Sequence, residues 1–289
     1  MKGTLIRMEE ALSTLTPTER KAAKYILDHP RETVNLSVQK LAEMAGVSEA
    51  TIVRLSRSLD CKGFQQLKLN IAADLSRSAS DDPKGEAESY REIRTEGSVA
   101  ELIDSISRNN MKSIQDTLLV LSAEAVEEAI RALRAARKIA IFGIGASAII
   151  AEDFRAKLAR INRWCEAGYS FDSQATIAAN LCADDVALGI SYSGQTRDTI
   201  GSLEIAKSCG ATIVSLTKVG PNPVAELADI RLHASSLEKS IRTGAMASRI
   251  AQLNIIDMLY VGVASGQLEE SIRSLEKTRK AVSDSKRNL

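Results

Sequence analysis

The sequence predicts two domains: an all-α domain, followed by an α/β domain whose parallel sheet is flanked by helices. Residues 1–77 have the pattern of closely spaced helices, whereas residues 98–289 alternate helical patterns with short β-branched runs. Residues 78–97 are polar and contain one proline and two glycines, which is the composition of a linker. At about 100–200 residues per domain, the length of 289 residues by itself suits either one large domain or two ordinary ones.

Composition excludes several classes of protein. Apolar residues make up 44% of the chain and the formal charge is +1, which excludes a disordered chain and a polyanion-coating protein. Aromatic residues make up 3%, too few for a surface that stacks unpaired bases. The four cysteines and two histidines lack the spacing of a zinc site or disulfide framework, so we expect reduced, mostly buried thiols and neither metal nor cofactor. With no membrane span or signal peptide in the sequence, we expect a cytoplasmic protein.

The first helices are predicted from periodicity and capping signals. A helical pattern covers residues 4–15, and Thr16, Pro17 and Glu19 then resemble a helix start with Thr16 as the N-cap. This second helix should end before Pro30, because the residue preceding a proline disfavours helical backbone.

Residues 37–59 predict a helix-turn-helix. One helix covers residues 37–45, Gly46 ends it, and a second helix follows Ser48. The second helix would present short or cationic side chains to a major groove, and lysines around a last helix over residues 65–76 would lie near phosphates. A helical hairpin with a solvated charged face is the alternative. The candidate DNA-binding residues are Ser48, Glu49, Thr51, Arg54, Arg57, Lys62 and Lys68.

The second domain is predicted to begin with helices over residues 98–121 and 123–136. An apolar stripe on the first of them (Leu102, Ile106, Ile114 and Leu118) predicts a homo-oligomer, either dimer or tetramer. Strands and helices then alternate, which indicates a parallel sheet covered on both faces. The predicted strands are 138–142, 163–166, 186–191, 212–217 and 230–233, and the helices are 147–161, 172–181, 196–209 and 244–264.

Two strand-to-helix loops have the composition of an anion site. In residues 143–147, glycines including Gly145 allow close backbone approach at a helix N-terminus, and Ser147 adds a hydroxyl. Residues 191–196 offer the hydroxyls of Ser191, Ser193 and Thr196, the amide of Gln195, and Gly194 for a tight turn. Neither loop contains Lys or Arg. Serine and threonine at such positions also serve as simple helix caps.

A dinucleotide site is a rival interpretation of the first loop. Residues 143–148 fit the G-x-G-x-x-[GA] pattern, and Glu166 closes the next predicted strand about 20 residues further on, as in an NAD-binding domain. The hydroxyl-rich second loop has no role in that fingerprint, so we rank this interpretation second.

The chain resembles the RpiR family of bacterial transcription regulators, in which a helix-turn-helix domain precedes a sugar isomerase (SIS) domain. The resemblance covers nearly the whole chain. The segments that carry it are Thr-Glu-Arg-Lys-Ala-Ala-Lys-Tyr-Ile-Leu at 18–27, Val-Ser-Glu-Ala-Thr-Ile-Val-Arg at 47–54, Lys-Gly-Phe at 62–64, Phe-Gly-Ile-Gly-Ala-Ser at 142–147 and Ser-Tyr-Ser-Gly-Gln-Thr at 191–196.

This resemblance implies a regulator that binds double-stranded DNA as a symmetric oligomer and responds to a phosphorylated sugar, with N-acetylmuramic acid 6-phosphate as a candidate. Ser147, Ser191, Ser193 and Thr196 fall at the positions that hold the phosphate in SIS domains, and Glu238 resembles an acidic residue near the sugar. The alternative function is an enzyme acting on sugar phosphates, an isomerase or an etherase. No convincing acid–base pair accompanies Glu238, so we predict a regulator and not an enzyme.

Overall fold

The computed structural model describes residues 3–12, 14–78, 98–236 and 245–287. The chain divides into two compact units. Unit 1 comprises Met1–Val120 with the short segments Lys218–Asn222 and Ser235–Thr243, and unit 2 comprises the remainder. The helix that the sequence assigns to the start of the second domain therefore belongs to unit 1.

Unit 1 is helical within its described residues. The helix-turn-helix lies where the sequence predicts it, and one additional short helix, α3, begins at Pro30. Proline ends the preceding helix and also suits the first position of the next, because its fixed φ is helical and its missing N–H would have no partner there. The helices are α1 (Thr4–Ala11), α2 (Pro17–Asp28), α3 (Pro30–Thr33), α4 (Val38–Ala45), α5 (Glu49–Ser58), α6 (Phe64–Ser78) and α7 (Val99–Val120).

The core of unit 1 collects one apolar face from each of α1, α2, α4, α5 and α6. Large side chains that are fully buried there include Met8, Ile26, Leu41, Ile52 and Leu67. Each such side chain contributes about 1.5–3 kcal/mol of transfer free energy. The predicted start of α2 is confirmed, because the Thr16 amide donates to the Glu19 carboxylate at 3.2 Å in a capping box.

Helix α7 exposes large apolar side chains at its N-terminal end. Val99, Leu102 and Ile103 lie at helical spacing on one face and are 74%, 56% and 64% exposed. Of the rest of the predicted stripe, Leu118 is exposed, whereas Ile106 and Ile114 are half-buried. The residues that α7 buries are mostly polar, which reverses the usual arrangement of a surface helix.

Unit 2 contains a five-stranded sheet in the order β2-β1-β3-β4-β5. Strand β1 pairs in parallel with β2 and β3, and β3 pairs in parallel with β4. This confirms the predicted α/β class with a parallel sheet. The strands are β1 (Ile139–Phe142), β2 (Cys165–Gly168), β3 (Val186–Ile190), β4 (Thr212–Lys218) and β5 (Ile230–Ala234).

Helices cover both faces of the sheet. Alternate residues of β1 enter different cores: Ile139 and Ile141 pack in a cluster with α8, α9 and α13, whereas Ala140 and Phe142 pack with α10, α11 and α12. The last helix, α14, is not predicted by the sequence analysis. The helices are α8 (Ala123–Ala135), α9 (Ala146–Arg160), α10 (Phe171–Ala179), α11 (Arg197–Ser208), α12 (Pro223–Leu227), α13 (Met246–Ser265) and α14 (Leu268–Arg287). Across the described ranges, no helix combines the length and apolarity needed to cross a membrane.

The cysteines are less buried than predicted. Only Cys61 is buried, and Cys165, Cys182 and Cys209 are half-buried free thiols. Burial raises the pKa of the Cys165 thiol to about 11, so this thiol is protonated at neutral pH.

Sheet topology determines where the two polar loops lie. Because β1 and β3 are adjacent and parallel, with Phe142 opposite Gly189, their carboxyl ends meet at the same edge of the sheet. The loop after β1 and the loop after β3 therefore leave side by side. This edge is where open α/β sheets bind their ligands.

Candidate functional site

The helix-turn-helix of unit 1 is held by two serine caps and a glycine. Ser37 Oγ accepts from the Lys40 amide at 3.1 Å at the start of α4, and Ser48 Oγ accepts from the Thr51 amide at 3.2 Å at the start of α5. Between them, Gly46 adopts φ 60° and ψ 46°, the left-handed conformation that favours glycine. These local interactions fix the sharp turn between α4 and α5.

The exposed residues of α5 carry charge. Ser48 at its start, together with Glu49, Arg54 and Arg57, is exposed. Arg54 Nη2 donates to Thr51 Oγ1 at 3.2 Å, which restrains the guanidinium close to the helix. This arrangement presents two guanidinium groups and short polar groups from a single helix, as a major-groove reader requires.

Two of the predicted DNA-binding residues occupy other positions. Thr51 was expected on the exposed face of α5, but it is 3% exposed and its hydroxyl contacts Ser48 and Arg54. Lys68 Nζ donates to the Leu36 carbonyl at 2.7 Å and lies 5.6 Å from the centroid of the Phe64 ring. Lys68 therefore connects elements of unit 1, and its ammonium is not presented as a solvated phosphate contact. Lys62, by contrast, is exposed.

The first polar loop follows β1 and opens α9. Gly145 has φ 62°, and a Cβ built on it meets nothing within 4 Å, so backbone at this point is open to close approach. Gly143 is tightly enclosed, since a Cβ there would lie 2.8 Å from the Ser147 carbonyl oxygen. Ser147 is half-buried in the first turn of α9. The loop thus brings helix N-terminal N–H groups and one hydroxyl to the edge of the sheet.

The second polar loop follows β3 and opens α11. Ser191 is 2% exposed, and its Oγ lies 2.9 Å from Thr196 Oγ1, so the two hydroxyls are held together across the loop. Ser193 Oγ accepts from the Gln195 amide at 3.3 Å. Gly194 has φ 67°, and its carbonyl accepts from the Val224 amide at 3.1 Å, which secures the loop to α12.

Of the two acidic residues that the sequence singles out, Glu166 lies within the described residues. Glu238 lies outside the described residues. Glu166 was expected to close the second strand, but β2 covers Cys165–Gly168 and continues past it. The Glu166 carboxylate also accepts from the Trp164 indole N–H at 3.2 Å. The placement that the dinucleotide fingerprint requires, an acidic residue at the carboxyl end of that strand, is therefore absent at this position.

Gln174 of α10 is a residue of this region that the sequence analysis misses. It is fully buried, and its Nε2 donates to the carbonyl oxygens of Gly143 at 2.9 Å and Gly168 at 3.0 Å. A single glutamine in a short helix carries no periodic or motif signal, so sequence patterns do not distinguish it from a solvated residue.

The side chains of the two loops are neutral donors and acceptors. An anion between the loops would be held by hydroxyls, the Gln195 amide and backbone N–H groups. Within the described part of the chain, no group of three or more His, Cys, Asp or Glu side chains is placed to hold a metal ion.

Comparison with known proteins agrees with this architecture. A family model described as helix-turn-helix domain, rpiR family, matches residues 2–78, and a model described as SIS domain matches residues 132–262. An uncharacterised HTH-type transcriptional regulator of Caldanaerobacter subterraneus subsp. tengcongensis is 42% identical over 288 residues, which is 100% of both chains. The uncharacterised HTH-type regulator YbbH of Bacillus subtilis is 35% identical over 97% of both chains.

These matches define a class of protein, a transcriptional regulator that joins a helix-turn-helix domain to a SIS domain. The chain belongs to the RpiR family of HTH-type transcriptional regulators. Among solved structures, Vibrio vulnificus NanR complexed with ManNAc-6P has a TM-score of 0.60 at 24% identity, covering 96% of this chain and 97% of that one. The sugar isomerase domain of an RpiR transcription factor from Sphaerobacter thermophilus has a TM-score of 0.56 at 24% identity, covering 62% of this chain and 99% of that one. At this identity the similarity shows the fold.

Proposed function

We propose that this regulator binds a DNA operator through α5 and changes its operator affinity when a phosphorylated sugar binds at the two polar loops, without consuming the sugar. The observation that carries the proposal is that two hydroxyl-bearing loops leave adjacent parallel strands in a chain that also contains an exposed, arginine-bearing recognition helix. The DNA function and the sugar function belong to different units.

The support for DNA binding is the chemistry of α5. Arg54 and Arg57 are exposed one turn apart, and an arginine binds guanine O6 and N7 through two hydrogen bonds. Residues 1–77 contain 12 Lys and Arg against 9 Asp and Glu, which favours approach to a polyanion. Lys62, exposed just before α6, is suited to a phosphate contact.

The support for a phosphorylated sugar is the donor set of the loops. At the carboxyl edge of the sheet, a helix N-terminus supplies N–H groups. The side chains around it are those of Ser147, Ser193 and Gln195 and the paired hydroxyls of Ser191 and Thr196. A phosphate satisfies many such donors at once. Two candidate sugars are N-acetylmuramic acid 6-phosphate, from the family resemblance, and ManNAc-6P, the ligand in the NanR structure.

The support for binding without turnover is that neither loop contributes a carboxylate, imidazole, ammonium or thiol group. The side chains that residues 143–147 and 191–196 contribute are hydroxyls, a phenol, an amide and alkyl groups. Sugar isomerisation requires a base and an acid whose pKa values lie near the working pH. A regulator requires only that the ligand bind more tightly to one of two conformations, one with high and one with low affinity for the operator.

We also propose that the regulator is a symmetric homo-oligomer acting on a two-fold operator. One recognition helix buries too little surface for typical specific affinities of about 10⁻⁸–10⁻¹¹ M. The exposed apolar end of α7 (Val99, Leu102 and Ile103) is the surface that we assign to a second copy of the chain. Half-sites should then lie about 10 base pairs apart, or a multiple of that distance.

The test is operator binding with and without sugar. An operator is first selected from random duplex DNA with the wild-type protein, and gel shifts are then run against a panel of sugar 6-phosphates and their unphosphorylated forms. Arg54→Ala with Arg57→Ala should weaken operator binding by about 1–3 kcal/mol for each base that an arginine binds in the wild type. Ser191→Ala with Ser193→Ala should spare operator binding and weaken the sugar response, by about 1.5–3 kcal/mol for each bond to a charged phosphate.

Arg31→Ala and Ser208→Ala are matched controls, since Arg31 is exposed on α3 and Ser208 is exposed at the far end of α11 from the loop. Unchanged operator affinity in the arginine variant would show that α5 is not the reading helix. A serine variant that responds at the wild-type sugar concentration would place the sugar elsewhere. Turnover of a sugar phosphate at enzyme-like rates would favour the isomerase or etherase instead.

A further inference from the structure

Gln174 connects three elements beneath the first polar loop. Its amide nitrogen donates to the Gly143 carbonyl, the first residue after β1, and to the Gly168 carbonyl, the last residue of β2. Its Oε1 lies 3.3 Å from the hydroxyl of Ser202 on α11. Because two carbonyl oxygens face one end of the amide, that end must be the NH₂ group, which fixes the side-chain orientation.

The surrounding backbone is shaped to admit this side chain. A Cβ on Gly168 would lie 2.7 Å from Gln174 Cγ, so β2 ends in the residue that leaves room for the glutamine. Both Gln174 and Ser202 are fully buried. A buried amide with its hydrogen bonds made restrains its partners strongly, because breaking those bonds would leave polar groups without solvent.

The bond to Gly143 sets the orientation of one peptide group in the loop. In a planar trans peptide the carbonyl of one residue and the N–H of the next point in opposite directions. With the Gly143 carbonyl held on Gln174, the N–H of Ile144 points away from Gln174. Without that bond, the orientation of the Gly143–Ile144 peptide would be less restrained, because glycine tolerates most backbone angles.

We propose that Gln174 is a positioning residue for the anion site: it holds the 143–147 loop in the orientation that presents backbone N–H groups to the phosphate of the sugar. This inference rests on the proposed function, since it concerns the same loops. Gln174 acts on binding through the backbone that it holds, above all the Gly143–Ile144 peptide, and not through contact with the ligand.

The test uses Gln174→Glu in the full chain, with sulfate as the probe. Sulfate remains a dianion between pH 5 and 8, so any pH dependence specific to the variant arises from the protein. A carboxylate facing two carbonyl oxygens in a buried site is disfavoured, so the introduced carboxyl should have a raised pKa. Once protonated, the carboxyl can donate one of the two hydrogen bonds that the glutamine donates, and the bond to the Gly143 carbonyl is the one that sulfate binding requires.

At pH 8 we expect Gln174→Glu to bind sulfate about 10- to 100-fold more weakly than wild type, the equivalent of one or more hydrogen bonds to a charged group. At pH 5 its affinity should recover to within a few-fold of wild type. Gln174→Met, which has similar length and no donor, should bind weakly at both pH values. Gln267→Glu, an exposed glutamine of the same unit, is the control and should follow wild type throughout.

Calorimetric titration gives affinity, and circular dichroism confirms that each variant is folded. A residue that supports only the fold would change the melting temperature without a pH-dependent loss and recovery of sulfate binding. Wild type and Gln174→Met binding sulfate equally would overturn this inference alone. Failure of wild type to bind either sulfate or any sugar phosphate of the panel would overturn it together with the proposed effector site.

Discussion

Asp185 illustrates how a single buried charge connects neighbouring segments of unit 2. It is 1% exposed and accepts from Arg137 Nη2 at 2.7 Å, the Lys138 amide at 3.1 Å and the Cys182 amide at 2.8 Å. Burial by itself raises the pKa of this carboxyl, but the hydrogen bonds from Arg137 and Cys182 outweigh it, and the pKa is lowered from its ordinary value. The ionised form is therefore the one that stabilises the fold.

We predict that Asp185→Ala lowers the free energy of unfolding by about 1–3 kcal/mol at pH 7, because two amide groups lose their acceptor. The pKa of the Asp185 carboxyl is lower in the folded protein than in the unfolded chain. Its contribution to stability is therefore complete above the unfolded-state pKa and is lost as the pH falls through the folded-state pKa. The difference between wild type and variant should accordingly shrink below about pH 4. Urea unfolding of both proteins at several pH values measures this difference in the free energy of unfolding. Asp184→Ala, an exposed neighbour, should have little effect, and an equal loss there would contradict the assignment.

Gly46 shows that the helix-turn-helix depends on backbone conformation as well as packing. A residue other than glycine pays about 1–2 kcal/mol in the left-handed region. The added Cβ of Gly46→Ala would also meet Lys21 Nζ at 2.6 Å, but that flexible ammonium moves aside at small cost. We expect a loss of about 1–2 kcal/mol in the stability of unit 1, measured by denaturant unfolding followed by circular dichroism.

Gly63→Ala is the matched control for this turn. It lies at the start of α6, has no positive φ, and its added Cβ would meet nothing within 4 Å. Its stability should remain within about 0.5 kcal/mol of wild type. If both glycine variants lose stability equally, left-handed strain at Gly46 is not the cause.

Sequence patterns predicted most helices and strands because apolar periodicity, glycine stops and capping residues act locally. Gly46, Ser48 and the Thr16 capping box are examples that depend on neighbours a few residues away. Lys68 and Gln174 depend on contacts between elements, such as Lys68 with the Leu36 carbonyl 32 residues away. A pattern along the chain does not encode such contacts. The composition of the loops indicated an anion site, but not the buried amide beneath them.

At the scale of the whole molecule, the exposed end of α7 predicts association. We expect light scattering at micromolar concentration to show an oligomer, and Leu102→Glu with Ile103→Glu to lower its mass, because charged groups oppose burial of that surface. Met111→Glu is the control, since Met111 is about as exposed as Leu102 and Ile103 but lies about a third of a turn around the helix from the centre of that surface. The assignment of this surface to a second copy of the chain would be contradicted if the wild type were a monomer, or if Met111→Glu lowered the mass as much as the double variant.

The absence of Lys and Arg from the two polar loops has a consequence for how the cell's salt content would act on this regulator. Operator binding through arginine and lysine releases counterions from DNA, so affinity falls steeply as salt rises. A phosphate held by hydroxyls and amide groups displaces no anions from cationic side chains of those loops. If the sugar binds as proposed, rising ionic strength would weaken the contacts with the operator far more than the direct contacts with the sugar phosphate, which would make ionic strength a second input to operator occupancy.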